Sequence, residues 1–208
     1  MANVYVYEYF AEENHEGFLY INLTNKCTNR CTFCIRNNAN GVGGDADLWL
    51  TKEPTFEDIV EALGKFDVNR YKEVVFCGYG EPTMRLDVLL EVAEYVKKNY
   101  KCSVRINTNG HANAIHKEDV TPRLAGVIDT LSISMNAPDA KSYNEICQCC
   151  FGEAGFDYML EFAKCACAHV PNVLLSIVDV MPKADIERCK ALAAQTGCKL
   201  RVRHYVEN

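Results

Sequence analysis

The sequence lacks several features that would place the chain outside the ordinary globular proteins. No apolar run approaches the roughly 20 residues that span a bilayer, and no proline- or serine-rich stretch indicates a linker. Basic residues are in deficit, since 22 Lys and Arg stand against 28 Asp and Glu, a formal charge of −6. Bulk charge therefore gives no attraction to nucleic acid or anionic lipid. We expect one domain, residues 1–208, without a membrane or nucleic-acid partner.

The N-terminal residues also lack a basic segment ahead of an apolar one. We therefore expect no secretory signal and a cytoplasmic location. Cysteine, in contrast, is abundant, with 12 among 208 residues. In a cytoplasmic protein this count more often indicates metal binding or reduced thiols than a disulfide framework.

Apolar β-rich segments alternate with helical patterns along the chain. Strands are expected over residues 18–24, 73–78, 103–108, 130–136, 172–180 and 199–205. Helices are expected over residues 55–66, 86–99, 156–170 and 184–197, with a short one at 121–126. The alternation predicts parallel strands with right-handed crossovers, in a doubly wound sheet or a (β/α)6 barrel. One more strand, residues 4–10, should form a hairpin with the first.

Three cysteines, Cys27, Cys31 and Cys34, share one short loop directly after the strand at 18–24. Three thiolates can hold three irons of a cubane and leave the fourth iron open, whereas electron-transfer clusters usually have four cysteines. An open coordination position is typical of a metal site that binds substrate or cofactor. Spacing alone leaves three alternatives: a zinc site, an electron-transfer cluster completed by Cys77, or unrelated thiols.

The loop sequence CTNRCTFC, with Phe33 directly before the third cysteine, resembles the radical S-adenosylmethionine superfamily. The resemblance implies one [4Fe–4S] cluster on Cys27, Cys31 and Cys34, with S-adenosylmethionine chelating the open iron. One electron, from a reductant such as flavodoxin or ferredoxin, then cleaves the sulfonium to methionine and a 5′-deoxyadenosyl radical that abstracts hydrogen from substrate. The resemblance also implies oxygen sensitivity, and it favours a (β/α)6 partial TIM barrel with an extra N-terminal strand.

The second expected strand runs into CGYGEPT (77–83), which resembles the GGEP motif of the same superfamily. Glycines let a backbone approach a ligand closely, and a carboxylate can bind a cationic amine. The resemblance implies that Phe33 and the residues Gly78, Tyr79, Gly80 and Glu81 lie at the cofactor, with Glu81 at the methionine amino group. An ordinary turn rich in Gly and Pro is the alternative.

Polar residues at the ends of later strands add further candidates. Serines at period two share one face of a strand, and a buried polar row needs partners. Ribose hydroxyls and the methionine carboxylate are the partners that the resemblance implies. The candidates are Asn107, Thr108 and Asn109 of NTNG, Ser132, Ser134 and Asn136 of the fourth strand, Ser176 and Asp179 of the fifth, and His204 of the sixth.

More narrowly, NLTNKCTNRCTFCIRNN and VVFCGYGEPT resemble a small radical enzyme family associated with TatD-type nucleases, which has no assigned reaction. Six strands do not close an eight-stranded barrel, so we expect a peptide, protein or other sizeable substrate to complete the site. Alternatives among enzymes are a glycyl-radical activase and a small-molecule enzyme of the carboxy-deazaguanine synthase kind. A non-catalytic electron-transfer module is the alternative outside enzymes. No residue is assigned to the chemistry on the substrate.

Overall fold

The computed structural model describes residues 3–9, 17–37, 47–179 and 181–203. The strands are β1 (Val6–Tyr9), β2 (Phe18–Ile21), β3 (Glu73–Phe76), β4 (Ser103–Thr108), β5 (Thr130–Ser134), β6 (Asn172–Val178) and β7 (Lys199–Arg203). The α-helices are α1 (Phe56–Leu63), α2 (Leu86–Asn99), α3 (Ala112–His116), α4 (Ala140–Cys147), α5 (Ala154–Ala166) and α6 (Lys183–Thr196). Short 3-10 turns occur at Ile35–Asn37, Val68–Arg70, Pro82–Arg85 and Thr121–Leu124. No helix of this described part is both long and apolar enough to cross a membrane.

Within each unit the strands follow the order of the chain, β1 to β4 in the first and β5 to β7 in the second. Strand β1 pairs with β2 in antiparallel fashion, which confirms the hairpin. Strands β2, β3 and β4 pair in parallel, and so do β5, β6 and β7. The polar segment that joins β1 to β2 lies outside the described residues. The fold is therefore the mixed α/β class predicted, with an additional N-terminal strand.

Several predicted boundaries were wrong. Strands β2, β3 and β5 end at Ile21, Phe76 and Ser134, earlier than predicted, because polar and glycine residues that follow them leave the strand conformation. Asn136, for example, has a left-handed backbone with φ 56°. The predicted helix at 121–126 is a 3-10 turn, and α3 and α4 were missed. The N-terminus of α4 has a detectable signal, because the Asp139 side chain accepts a hydrogen bond from the backbone of Ser142.

The chain divides into two compact units. The first unit comprises residues 1–27, 34–107 and 126–129, and the second comprises residues 28–33, 108–125 and 130–208. That the whole chain acts as one domain stays a prediction. In the first unit, β2 to β4 bury apolar side chains on both faces, as expected of parallel strands. Its core includes Leu19, Ile21, Val74, Val75, Val104 and Ile106.

Helices of the first unit present one apolar side to this core. Thr55 is the N-cap of helix α1 and forms a reciprocal capping box with Asp58, which determines where the helix begins. Helix α2 buries Leu89, Val92, Ala93 and Val96, which recur at helical spacing. Its last turn carries Lys97 and Lys98, which suits the negative end of the helix dipole.

In the second unit the two faces of the sheet differ. One face is apolar and carries Leu131 and Ile133 of β5 with Leu175 and Ile177 of β6, all fully buried. Helix α5 buries Met159, Phe162, Ala163 and Ala166. The opposite face carries hydroxyl groups, because Ser134 of β5 is the register partner of Ser176 of β6. Paired residues of parallel strands point to the same side of the sheet.

Candidate active site

The three loop cysteines lie just beyond β2. Each of Cys27, Cys31 and Cys34 is half-buried and outside any disulfide. Cys27 and Cys34 belong to the first unit and Cys31 to the second. Within the described ranges, which include all twelve cysteines, no group of three or more His, Cys, Asp or Glu side chains is arranged to hold a single metal ion. The thiolates of an iron–sulfur cubane bind separate irons and need not converge on one point.

The glycine turn after β3 packs directly against the residues that precede Cys27. The backbone N–H of Glu81 donates to the Lys26 carbonyl at 2.8 Å. A Cβ atom on Gly80 would lie 2.3 Å from the Thr24 carbonyl oxygen and 2.6 Å from that of Lys26. Both atoms belong to the backbone and cannot rotate away, so only glycine fits at this position. The GYGE turn therefore positions the start of the cysteine loop.

Gly78, which follows β3, also leaves room for a close neighbour, in this case Asn22 just after β2. A Cβ atom there would lie 2.1 Å from Oδ1 of Asn22. Asn22 is fully buried, and its Nδ2 donates to the Leu48 carbonyl at 2.7 Å. Its Oδ1 has no hydrogen-bond partner in the described part of the chain. A buried acceptor of this kind is a place where a ligand donor can bind.

The other two residues of the turn are buried. Glu81 accepts hydrogen bonds at one carboxylate oxygen from the backbone and hydroxyl of Thr83, at 3.1 and 2.7 Å, and so caps the 3-10 turn that follows. Its predicted contact with the cofactor stays a prediction. Tyr79 packs edge to face on Trp49, with ring centroids 5.2 Å apart. Burial raises the pKa of Tyr79, and Asp47 and Cys34 raise it further, so the phenol stays neutral.

Sequence reasoning missed a set of polar side chains that hold residues 22–26, which we call the first anchor: Asn22, Asn25 and Glu53. The Asn25 amide forms two hydrogen bonds with the backbone of Leu50, donating at 2.7 Å and accepting at 3.0 Å. These two hydrogen bonds resemble one pair of bonds between neighbouring β-strands. They hold the backbone around Leu50 against residues 22–26, although no regular strand forms there. No local pattern in the sequence predicts it.

Glu53 completes the first anchor. Its carboxylate accepts from the Thr24 hydroxyl at 2.6 Å and pairs with Arg85 at 3.2 Å and Lys26 at 3.4 Å. Burial acts to raise the pKa of Glu53, but the Thr24 hydrogen bond and the two cations outweigh it, so the pKa is lowered. The carboxylate is therefore ionised at neutral pH and fixes Thr24 and Lys26 next to Cys27.

Residues within the cysteine loop are held by a different set, the second anchor: Asn109, His111 and Tyr143. His111 is fully buried, with Nε2 at 2.9 Å from the Gly155 carbonyl and Nδ1 at 2.9 Å from the Thr28 hydroxyl. Because a carbonyl can only accept, we assign the proton to Nε2, and the Thr28 hydroxyl donates to Nδ1. Asn109 in turn donates to Thr28 at 2.7 Å.

Tyr143 and backbone pairing complete the hold on this loop. Asn29 donates to the Tyr143 hydroxyl at 3.0 Å, and that hydroxyl lies 3.2 Å from Nε2 of His111. The backbone bonds are Arg30 N–H to the Cys147 carbonyl at 2.9 Å, Thr32 N–H to Ile146 at 3.0 Å, and Cys150 N–H to Thr28 at 2.8 Å. The segment 146–150 thus forms an irregular ladder with residues 28–32.

Burial decides the protonation states in the second anchor. It lowers the pKa of His111 to about 4, with the Gly155 hydrogen bond opposing that fall. Burial also raises the pKa of Tyr143 and of Cys149, whose sulfur lies 3.9 Å from Nδ1 of His111. The anchor is therefore uncharged at neutral pH, unlike the first.

The NTNG residues have well-defined positions at the end of β4. Thr108 accepts from the backbone of Gly110 at 3.0 Å, and Asn109 accepts from the backbone of His111 at 3.1 Å, so both side chains cap the turn. Gly110 adopts φ +80°, which favours glycine. Oδ1 of Asn107 is buried and has no hydrogen-bond partner among the described residues. Of the three candidates, Asn107 is therefore the one placed to accept from a ligand.

A cavity of about 260 Å³ lies within the second unit and brings two of the candidates together. Phe33 of the cysteine loop and Asn136 after β5 both line it. The Asn136 amide nitrogen contacts the sulfur of Cys147 at 3.7 Å, while its Oδ1 is buried without a partner in the described chain. The remaining lining residues are Pro138, Ser142, Glu145, Ile146, Val178, Met181, Pro182 and Asp185.

The remaining candidates are only partly brought together. Ser132 and Ser176 are buried, and Ser134 lies half-buried beside Ser176. Asp179 follows β6, with its backbone N–H bonded to the Arg203 carbonyl at 3.0 Å. His204 lies outside the described residues, so its predicted role stays a prediction.

Comparisons with known proteins give the chain a family. The family model of the radical SAM superfamily matches residues 21–194. A probable GTP 3′,8-cyclase from Thermococcus kodakarensis is 27% identical over 186 residues, which cover 88% of this chain and 55% of that protein. SuiB of Streptococcus suis, solved with its precursor peptide SuiA, has a TM-score of 0.66 at 18% identity, covering 90% of this chain and 39% of that one. Its S-adenosylmethionine complex gives 0.61 at 19%, with the same coverage.

The chain belongs to the radical SAM superfamily and is an enzyme. The likeness to SuiB shows the fold, which is the partial barrel of that superfamily. The family implies a [4Fe–4S] cluster and S-adenosylmethionine, and the residues present fit both groups. Three half-buried thiols suit the cluster. Buried acceptors without a partner among the described residues, Asn22 and Asn107 in the first unit and Asn136 in the second, suit the cofactor. The chain spans only 55% of the length of the cyclase.

Proposed function

We propose that this enzyme reductively cleaves S-adenosylmethionine and uses the radical to abstract hydrogen from a peptide or protein substrate. Cys27, Cys31 and Cys34 would hold one [4Fe–4S] cluster, and the GYGE turn and the strand ends would hold the cofactor. When bound, the cluster and S-adenosylmethionine supply one-electron cleavage of the sulfonium to methionine and a 5′-deoxyadenosyl radical. The proposed location is the cytoplasm, with flavodoxin or ferredoxin as the reductant.

The observation that carries the proposal is the contact of Gly80 with the loop before Cys27. The motif predicted to bind the cofactor and the loop predicted to bind the cluster meet backbone to backbone, through Glu81 N–H and the Lys26 carbonyl at 2.8 Å. A shared function of the two motifs at one site explains why Gly80 has no room for a side chain. An ordinary glycine turn would not require this contact with a cysteine loop.

The chain's own residues position the reacting groups. Glu53 and Asn25 fix the backbone on one side of Cys27, and Thr28 and Asn29 are held on the other side by His111 and Tyr143. Hydrogen-bond partners of this kind orient a backbone that carries ligands, as outer partners do in metal sites. Phe33 and Ile146 contribute apolar side chains to the lining of the cavity.

The experiment is anaerobic reconstitution of the full chain with iron and sulfide, followed by incubation with S-adenosylmethionine and dithionite. We expect 5′-deoxyadenosine by mass spectrometry, and a change in the electron paramagnetic resonance spectrum of the reduced cluster when S-adenosylmethionine is added. Cys31→Ala should lose both signals. Cys165→Ala, half-buried on α5, is the matched control and should keep them.

A second variant tests the alternative of an electron-transfer module. If Cys77 completed the cluster, Cys77→Ala would lose iron and the wild type would cleave no S-adenosylmethionine. We expect the reverse, with Cys77→Ala retaining the cluster and the cleavage. A wild-type preparation that loads iron and gives no 5′-deoxyadenosine would refute the proposed function.

A peptide or protein substrate is supported by the likeness of the fold to SuiB, whose structure contains a precursor peptide. The glycyl-radical activase and the deazaguanine-type enzyme have no specific observation in their favour. The second-unit cavity, at about 260 Å³, has room for part of a cofactor or a single side chain and not for a folded partner. A substrate would therefore extend one segment into the site.

A further inference from the structure

Strand β7 combines an open edge with a concentrated positive charge. It pairs with β6, and no other strand of the described residues pairs with its second edge. Its sequence is KLRVR, so three of its five residues are cations in a chain of formal charge −6. Four of the five are exposed, and only Leu200 is half-buried. An exposed edge offers a row of backbone donors and acceptors to another chain.

The cations share one face of this strand. Register pairs Leu174 with Lys199, Ser176 with Arg201 and Val178 with Arg203. Lys199, Arg201 and Arg203 therefore stand on the hydroxyl-bearing face of the second unit, beside Ser176. Leu200 and Val202 stand on the other face. Within the described residues, neither Lys199 nor Arg201 has a carboxylate at ion-pair distance.

The same face leads to the cavity. Val178, the register partner of Arg203, lines the cavity together with Asn136 and Phe33. The row of cations therefore lies on the side of the sheet to which the cavity-lining side chain of Val178 points. This places the row next to candidate cofactor residues of the same unit.

We propose that β7 is the docking edge for the substrate, which is a peptide segment that alternates acidic and apolar residues and adds as an extended strand. This inference rests on the proposed function and names its substrate class. Backbone hydrogen bonds along Lys199–Arg203 hold the segment, and its acidic side chains pair with Lys199 and Arg201. Its apolar side chains lie beside Leu200 and Val202. The lysine and arginine side chains reject uncharged and basic strands, which gives the edge its selectivity.

The test measures the binding of a fluorescein-labelled peptide of about nine residues, alternating glutamate and valine, to the full reconstituted chain by anisotropy. Lys199→Glu with Arg201→Glu should weaken binding by at least about tenfold. Lys98→Glu with Lys101→Glu makes the same charge change at exposed positions elsewhere and should leave it unchanged. A peptide alternating lysine and valine should not bind. Equal loss in both double variants would overturn the proposal, because it would indicate non-specific charge attraction.

Strand addition is tested separately from charge. Methylating alternate backbone nitrogens of the glutamate peptide removes the N–H donors along one of its two edges. Binding should be abolished when the methylated edge is the one that faces β7. Binding should persist when the opposite edge is methylated. Equal binding of the two methylated peptides would overturn the docking mode. Lys199→Gln with Arg201→Gln, checked for native circular dichroism, repeats the test if the charge-reversed variant does not fold.

The two proposals fail in distinguishable ways. Cleavage of S-adenosylmethionine without peptide should be unchanged by the Lys199 and Arg201 substitutions, because neither residue is among the candidates for holding the cluster or the cofactor. Peptide binding without cleavage would refute the proposed function and leave the docking edge in place. Cleavage without peptide binding would refute the docking edge and leave the proposed function in place.

Discussion

Both anchors hold the backbone at or beside the cysteine loop, but they do so through different kinds of interaction. The first anchor contains a charged and partly exposed group, Glu53, whose side chain is 30% exposed and faces Lys26 and Arg85. The second is buried and neutral, with His111 and Tyr143 both fully enclosed. Charged pairs near water contribute little and are screened by salt. Buried neutral groups contribute through packing and the cost of leaving a partner unsatisfied. We therefore expect the second anchor to dominate stability.

The largest effect should come from His111→Ala. The change opens a cavity and leaves Thr28, Tyr143 and the Gly155 carbonyl without their shared partner. We expect the free energy of unfolding to fall by about 4 kcal/mol, measured by denaturant unfolding of the protein without its cofactors. His169→Ala, at a half-buried position, is the control and should cost about 1 kcal/mol or less. Equal losses in the two variants would contradict the stabilising role of His111 in the second anchor.

Gly80→Ala should have the next largest effect. The new methyl group would lie 2.3 Å from a backbone carbonyl that cannot rotate away. We expect a loss of about 3 kcal/mol at most from overpacking, together with reduced iron per chain after reconstitution. Gly64→Ala, where the nearest atom would be 3.4 Å away, is the control and should retain full iron content. Full iron loading of Gly80→Ala would show that the GYGE turn is not needed to position the cluster loop.

Acidification from about pH 6.5 to 5 should act on the second anchor, because Glu53 of the first anchor, whose pKa is lowered, stays ionised in that range. The pKa of His111 is lowered to about 4 in the folded chain, from a usual 6.5, so the unfolded chain binds a proton that the folded chain does not. Stability from this group is complete above about pH 6.5 and is lost as pH falls toward 4, amounting to about 2 kcal/mol by pH 5. His111→Gln should flatten this part of the pH profile. An unchanged profile would mean that His111 does not carry it.

The smallest effect should come from Glu53→Gln. Loss of the charge weakens the pairs with Lys26 and Arg85 and keeps the shape, so we expect about 1 kcal/mol or less in the free energy of unfolding. The difference from wild type should shrink at 1 M salt, because exposed pairs are screened. The same salt should leave the His111→Ala difference unchanged. A Glu53→Gln effect that does not respond to salt would contradict the assignment of the first anchor as electrostatic.

Much of the fold and part of the site could be predicted from short-range patterns. Strand β4 and helix α2 were predicted with their observed bounds, because each is a continuous apolar or amphipathic run with clear ends. Glycine was expected to allow close backbone approach in the GYGE turn, and Gly80 does so against Thr24 and Lys26 of the chain itself. Contact of the turn with the cofactor stays a prediction. Strand ends at Ile21 and Ser134 were missed, because polar residues can either continue a strand or leave it for hydrogen bonds.

The anchors themselves could not be predicted. Asn25 and Glu53 resemble ordinary surface residues in sequence, and His111 is an isolated histidine without a ligand pair. Their roles depend on Leu50, Thr24 and Thr28, which the fold brings to them. The orphaned acceptors of Asn107 and Asn136 are likewise visible only once burial is known. Local propensity contains no information on which polar group will be enclosed.

The sequence by itself determined the alternation of strands and helices, the spacing of Cys27, Cys31 and Cys34, and the glycines that admit a close backbone. These depend on neighbours a few residues apart, where sterics and periodicity act. Only the tertiary structure decided that His111 is neutral and holds Thr28. The two residues are 83 positions apart in the chain, and both the hydrogen bond and the burial that lowers the histidine pKa exist only after the chain has folded.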